Sequence, residues 1–365
     1  MIAGIDRRLL RNLDLIFLAV AAALFLLGII NLRSAGGSTG VWKSQLIWFG
    51  ASLFAMLLMM SIDYHRFQFL GVLFYLACLA LLVLVLFLGP EIHHAKSWLV
   101  FGKFRLQPSE PAKLAVVMML ARIFQKREKR GPMNWKQLSY PLAVILVPAA
   151  LTALEPDLGT TLIFLIFGAG LLLFMGVQKR LIALAVILAL ASVPLAWKYV
   201  LKPHQKKRVL TFIYPGQDPL GAGYNLLQSK IAIGSGGVFG KGWRKGSQNQ
   251  LRFLPEQHTD FAFSVWAEEW GFLLGVVPAL LLYLFVLYRG ARIASEAKDR
   301  LGLILALGPV MIIFAHFFVN LLMIAGWFPV IGVPLPFFSY GGSFLITLFM
   351  SLGLILNVGM RRYVF

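Results

Sequence analysis

Residues 13–32 read LDLIFLAVAAALFLLGIINL, with a single charged side chain, Asp14, near the start. A bilayer core about 30 Å thick takes about 20 apolar residues of helix, so this stretch is long enough to span it. Arg7, Arg8 and Arg11 precede it, and Ala19-Val20-Ala21 offers small residues, which is also how a secretory signal peptide is laid out. The apolar run continues past those alanines to Ile30, so it reads as an uncleaved first span.

Nine further runs follow the same pattern, at 46–62, 69–88, 109–124, 140–154, 158–176, 180–200, 261–288, 301–326 and 343–359. The expected fold class is an all-α integral membrane protein with ten transmembrane helices. It would form one polytopic membrane domain over 1–365, with one large extracytoplasmic loop, 201–260, between helices 7 and 8. Composition agrees: 59% of the 365 residues are hydrophobic and 13% charged, against about 25% charged in a soluble domain. A soluble enzyme is excluded. The excess of 34 Lys+Arg over 15 Asp+Glu gives +19, which in a soluble chain would point to nucleic acid. Beside apolar spans it sets orientation and meets anionic headgroups instead, so no nucleic-acid partner is expected. Cys78 is the single cysteine and lies in an apolar run, which leaves no intramolecular disulfide.

With the N-terminus inside, the inner segments carry 18 basic residues and the short outer loops five, Arg33, Lys43, Lys96, Lys103 and Arg105. The positive-inside rule then puts both termini in the cytoplasm. The loop 201–260 is cationic: Lys202, Lys206, Lys207, Arg208, Lys230, Lys241, Arg244, Lys245 and Arg252 face only Asp218, Glu256 and Asp260. Anionic partners would collect there, although a basic loop resting on headgroups has the same composition. Its glycines (Gly216, Gly221, Gly223, Gly234, Gly236, Gly237, Gly240, Gly242, Gly246) allow tight turns, and 224–233 could form a short amphipathic helix.

Ionisable groups at membrane depth are costly and therefore functional candidates. In Gln107-Pro108-Ser109-Glu110-Pro111-Ala112-Lys113, Glu110 and Lys113 share a helix face and can pair, with Ser109 as a cap. The same pair could serve only to fix a helix end. In Glu155-Pro156-Asp157-Leu158-Gly159-Thr160 two carboxylates flank a tight turn, where they could hold a cation or, more readily, cap the next helix. The third stretch runs from Leu254 through Glu256, Gln257, His258, Thr259 and Asp260 to Trp266, Glu268, Glu269 and Trp270. Asp260 stands where the cationic loop enters a helix. Taken alone it reads first as a helix cap; kept ionised and accessible, it could also take a proton from a substrate hydroxyl. At least one of Glu268 and Glu269 should face the bundle interior or a polar cavity. The fourth, Pro329 to Ser343, holds three prolines and three glycines in an apolar setting and includes Ser339. It reads as an irregular loop buried in protein, a wall rather than a reagent. Gly234–Gly242 lacks the Walker ending, and His93, His94 and His316 lack a partner set for zinc.

Together these segments resemble the SEDS family of bacterial cell-wall polymerases, which serve shape, elongation, division and sporulation. The motifs that carry the likeness, in order, are Gln107-Pro108-Ser109-Glu110 with Lys113, Pro156-Asp157-Leu158-Gly159-Thr160, Asp218-Pro219-Leu220-Gly221-Ala222-Gly223-Tyr224, His258-Thr259-Asp260-Phe261, Ala267-Glu268-Glu269 and Gly332-Val333-Pro334-Leu335-Pro336. Gln228 to Gly237 followed by Gly240-Lys241-Gly242-Trp243 looks like the elongation branch. The resemblance implies a peptidoglycan glycosyltransferase polymerising lipid II outside the cytoplasmic membrane. Asp260 would be the base for the acceptor hydroxyl in an inverting displacement of undecaprenyl pyrophosphate. Lys113, Lys206, Arg208, Lys230 and Lys241 would stabilise the leaving diphosphate, with Glu110, Asp157, His258, Glu268, Glu269 and Ser339 in support. Mg²⁺ or Mn²⁺ is a candidate cofactor near that diphosphate. The implied partners are lipid II, a class B penicillin-binding protein whose membrane helix packs beside spans 8 and 9, and other membrane proteins of the elongation machinery. Two departures stand out: Lys96-Ser97-Trp98 where many members have Arg before Trp, and Glu155 where Gln commonly precedes Pro156. A lipid II flippase or a scaffold for the transpeptidase are the rival readings.

Overall fold

The computed structural model describes residues 11–92, 95–102, 104–127, 131–214, 222–251 and 253–362. Arg7, Arg8, His93, His94, Lys103, Gly216, Asp218, Gly221 and Arg252 lie outside the described residues. The chain runs α1 (Leu15–Ala35), α2 (Val41–Ser61), α3 (Phe67–Leu88), a hairpin of β1 (Leu99–Phe101) and β2 (Phe104–Leu106), α4 (Ser109–Gln125), α5 (Trp135–Leu154), α6 (Leu158–Phe174) and α7 (Lys179–Leu195). It continues with α8 (Pro203–Ile213), α9 (Ala222–Gly236), α10 (Ser247–Gln250), α11 (Ala262–Gly271), α12 (Val277–Ser295), α13 (Arg300–Ala325) and α14 (Gly342–Arg361).

Among the described residues eight helical stretches are long and apolar enough to cross a membrane; α11 and α12 form one of them together. Helices α4 and α6 have 17 residues each, about 26 Å at 1.5 Å per residue. The stretch expected as one long loop holds three helices, α8, α9 and α10. The antiparallel hairpin pairs Leu99 with Leu106 and Phe101 with Phe104, a feature that apolar periodicity does not announce.

Two apolar clusters form the core. One joins α3–α6 and α13; the other joins α1, α11, α12, α13 and α14. Helices α13 and α14 are buried over most of their length, whereas α7 buries none of its side chains and is apolar all round, as a lipid-facing helix is.

Close approach is bought by glycine at a few points. A Cβ on Gly28 of α1 would lie 2.1 Å from the Phe337 carbonyl oxygen. A Cβ on Gly159 of α6 would lie 2.6 Å from that of Ile331. Both glycines let a helix touch the backbone of the segment 328–341. The span expected at 261–288 is broken at Gly271, whose φ is +72°. There the Phe272 and Leu273 N–H groups donate to the carbonyls of Gly237 and Val238, so the helix gives up its own register to seat the loop after α9.

Helix ends follow local chemistry. Asp157 caps α6, its carboxylate accepting from Thr160 N at 2.9 Å and Thr160 Oγ1 at 2.8 Å. Ser109, expected to cap α4, is instead its first residue, and its buried hydroxyl has no partner. Just past α5, Glu155 is fully buried and neither carboxyl oxygen has a hydrogen-bond partner. Burial pushes its pKa up to about 8; the charge of Asp157 adds to this, and the Ser97 hydroxyl opposes it.

Gly28→Ala should lower the thermal midpoint in detergent, because neither backbone can yield. Gly50→Ala on α2, where nothing lies within 4 Å, should leave it equal or higher, since alanine favours helix by about 1 kcal/mol; equal losses in the two variants would contradict this packing. A second test concerns Glu155. An acid whose pKa is raised on folding binds more protons folded than unfolded, so its contribution to stability falls as pH rises from about 4.3 toward its folded value of about 8. Glu155→Gln should therefore melt above the wild type at about pH 8 and near it at about pH 5, whereas parallel melting curves across that range would refute the assignment.

Candidate active site

One end of the helices, formed by the start of α4, α6, α11 and α14 and the finish of α3, α5 and α13, holds a cleft of about 550 Å³. Ser97, Trp98 and Gln107 line one side, Pro156, Asp157 and Thr160 another, and Val330, Ile331, Gly332 and Pro334 form the wall expected of the irregular segment. Arg208 and Asn225 reach in from α8 and α9, and Glu256, Thr259 and Asp260 come from the turn before α11.

Asp260 is half-buried. It is not the helix cap: Phe261 holds that position and no side chain caps α11. Asn320 on α13 donates through Nδ2 to the Asp260 carbonyl at 2.8 Å and to the Val333 carbonyl at 2.7 Å. Gly332, with φ +76°, sits so close that a Cβ there would lie 3.4 Å from Asp260 Oδ2. Burial raises the Asp260 pKa to about 7; Glu256 raises it further, Arg208 lowers it, and Asp157 adds a smaller upward push. The expectation of an aspartate ringed by cations is therefore corrected. Among the described residues two carboxylates and one guanidinium bear on it, and its proton affinity is increased.

Glu110 and Lys113 pair as their spacing suggests, Nζ to Oε1 at 2.8 Å, and both are buried. Lys113 also lies 2.8 Å from His316 Nε2, and its ammonium stands 5.7 Å from the Phe344 ring centroid. Two of its three donors are engaged inside the protein and it does not line the cleft, which sets it apart from the groups expected to meet a diphosphate. Glu110 does line the cleft.

The other cations divide. Arg208 lines the cleft; Lys206 on the same helix is half-buried and does not. Lys230 is exposed on α9, its chain packed over Gly326. Lys241 donates to Glu268 Oε1 at 2.7 Å and to Ser247 Oγ at 2.9 Å. The structure thus does not bring Lys206, Lys230 and Lys241 to the Asp260 cleft. Glu268 and Glu269 are both buried and work as anchors: Glu268 Oε1 also accepts from Gln248 N, and Glu269 Oε1 accepts from Ser34 Oγ at 2.5 Å and Asn249 Nδ2 at 3.0 Å. They tie α10 and α1 to α11, away from Asp260. His258 lies beside the cleft and accepts the Tyr340 N–H on its carbonyl. Ser339 donates to the Thr259 carbonyl at 2.5 Å and accepts the Leu335 N–H at 2.8 Å, holding the wall against the residue next to Asp260. Asp157 lines the cleft while capping α6, and Gln107 Nε2 donates to it at 3.2 Å.

Sequence reasoning weighed His316 only as a zinc ligand and passed over Asn320. Both are polar side chains inside an otherwise apolar run and lie four residues apart, on one face of α13; that spacing was the available signal. For Mg²⁺ or Mn²⁺ the fit is poor: among the described residues no three His, Cys, Asp or Glu side chains converge as a metal site.

Residues 7–364 match the family model for the cell cycle proteins FtsW, RodA and SpoVE. The chain is 40% identical to the peptidoglycan glycosyltransferase MrdB of Escherichia coli over 352 residues, 96% of this chain and 94% of the relative. Its fold is similar to a chain in a solved structure concerned with coordination of polymerization and crosslinking by a peptidoglycan synthase complex. There the TM-score is 0.83 at 33% identity, covering 97% and 99% of the two chains. It is also similar to the crystal structure of the rod shape determining protein RodA of Thermus thermophilus, with a TM-score of 0.73 at 31% identity over 96% and 98% of the chains. This multi-pass membrane protein belongs to the FtsW, RodA and SpoVE family of cell cycle proteins.

Proposed function

We propose that this chain is a peptidoglycan glycosyltransferase that polymerises lipid II on the outer face of the cytoplasmic membrane during elongation. The observation that carries the reading is Asp260, a carboxyl with a pKa of about 7 at the wall of a 550 Å³ cleft. Full-length likeness to a named peptidoglycan glycosyltransferase supports it. A general base works best when its pKa lies near the operating pH, and burial, with Glu256 adding to the rise and Arg208 opposing it, supplies that value.

In the reaction, Asp260 takes the proton of the acceptor sugar's 4-hydroxyl. The oxygen attacks the donor's anomeric carbon, and the bond from that carbon to the diphosphate breaks on the opposite face, so the configuration inverts. Arg208 is the cleft-lining cation that meets the charge on the departing polyprenyl diphosphate. Asn320, Ser339 and Gly332 hold Asp260 and the wall in register. The charge asymmetry of the short loops supports cytoplasmic termini and a cleft opening outside. One polytopic domain carries the whole reaction. A class B penicillin-binding protein packed beside α11, α12 and α13 is the proposed partner, alongside other elongation-machinery proteins. The likeness to a chain studied within a peptidoglycan synthase complex supports that pairing.

Asp260→Asn should reduce glycan synthesis from purified lipid II by at least about a hundredfold while the protein still folds and binds its partner; undiminished polymer would refute the base assignment. The pH profile gives an independent check. Since the base must be ionised, kcat/KM should rise with pH through about 7. Arg208→Gln removes a charge that lowers the Asp260 pKa and should move that limb to higher pH, whereas Glu256→Gln should move it lower; limbs that do not move, or move the other way, would contradict the electrostatic account.

A further inference from the structure

The Glu110–Lys113 pair has a third member. A lysine ammonium only donates, so His316 Nε2, 2.8 Å from Lys113 Nζ, is the acceptor, and the imidazole proton sits on Nδ1, 3.2 Å from the Pro334 carbonyl. His316 is therefore the neutral Nδ1–H tautomer, bonded at both nitrogens. It is 2% exposed, and Lys113 is fully buried. Lys113 divides its bonds between one Glu110 oxygen and the imidazole. Glu110 Oε2 is left buried without a hydrogen-bond partner, on a residue that lines the cleft.

We propose that His316 is a positioning residue for substrate: by taking one Lys113 N–H it confines the ammonium to Glu110 Oε1 and keeps Oε2 of that cleft-lining side chain unpaired, as acceptor for a hydroxyl or amide N–H of the lipid-linked saccharide. The identity of that ligand rests on the glycosyltransferase reading above. The physical argument is one of competition. Without a second acceptor, a buried ammonium settles between the two oxygens of its carboxylate, because that satisfies more of its donors. Oε2 would then be engaged by the ammonium and lost as an acceptor. An anionic oxygen left unpaired in a buried place is costly, and a bound sugar supplies the missing donor. Through Nδ1 the same ring fixes Pro334, which lines the cleft. Asn320, one turn further along α13, fixes Val333 and the Asp260 carbonyl. One helix face thereby sets the base, the wall and the free carboxylate oxygen in a common frame.

The test compares full-length wild type with His316→Leu and His316→Gln, measuring the Kd for lipid II in detergent and, in parallel, steady-state polymerisation with thermal melting as the folding control. His316→Leu should weaken Kd and raise KM by about tenfold, the worth of one hydrogen bond to a charged group, with kcat changed by no more than about threefold. His316→Gln, whose carboxamide can accept from Lys113 and donate to Pro334, should restore both Kd and KM to within about threefold of the wild type. A purely structural role would lower melting in both variants without this split. Equal Kd in wild type and His316→Leu overturns the proposal while leaving the glycosyltransferase reading intact, whereas a wild type that neither binds nor polymerises lipid II overturns both. Should His316→Leu not fold, a well-folded His316→Gln that loses more than about tenfold in Kd overturns it alone.

Discussion

The structure depends on satisfying the backbone of an irregular segment inside a membrane-embedded bundle. Residues 328–341 form no helix, yet Val333, Leu335, Phe337, Phe338 and Ser339 are buried. Unpaired backbone groups at that depth cost several kcal/mol each by most estimates, so side chains from neighbouring elements must supply the bonds. Asn320 takes the Val333 carbonyl, His316 that of Pro334, Tyr283 that of Pro336, and Gln45 that of Ser339. Ser339 receives the Leu335 N–H and passes its own proton to Thr259. These bonds connect α2, α12 and α13 to the turn that carries Asp260, so the cleft wall and the candidate base form one hydrogen-bonded unit.

That unit explains why the cleft can hold an aspartate of high proton affinity at all. An isolated half-buried carboxyl would swing toward the nearest cation or toward water. Here its backbone is held by Asn320, and Gly332 stands against the carboxylate. Burial raises its pKa, Glu256 and Asp157 add to the rise, and Arg208 restrains it. A ring of lysines would have driven the same group far down and left a weak base. Among the described residues Arg208 is the one cation that lowers the Asp260 pKa, which favours proton abstraction, and the role proposed for that arginine is to meet the leaving group.

Much of this was legible in the sequence, for identifiable reasons. Apolar runs mark membrane helices because hydrocarbon tolerates little else, and the starts of α4, α6 and α14 were found to within a residue or two. The Glu110–Lys113 pair was visible because its partners are three residues apart on one helix face. The burial of 329–343 followed from prolines and glycines in a segment too apolar for a surface loop. What could not be read was pairing across long separations. Lys113 and His316 are 203 residues apart, and Lys241 meets Glu268 across 27, so the sequence displays five candidate cations without saying which are already engaged. The break at Gly271 was hidden for the same reason, because it exists to receive backbone from Gly237 and Val238.

The division among the basic residues carries a further consequence for a chain with such an excess of positive charge. Buried cations are retained only where acceptors surround them; Lys113 meets that condition through Glu110 and His316, and the half-buried Lys241 is paired with Glu268. Their charges are neutralised locally and contribute little field at the cleft. Arg208, on the short helix α8, is different: it lines the cleft, where a guanidinium can present two parallel N–H groups to a phosphate. The proposed base thus stands on the turn before α11, its backbone held by Asn320, and the proposed cation on the separate helix α8.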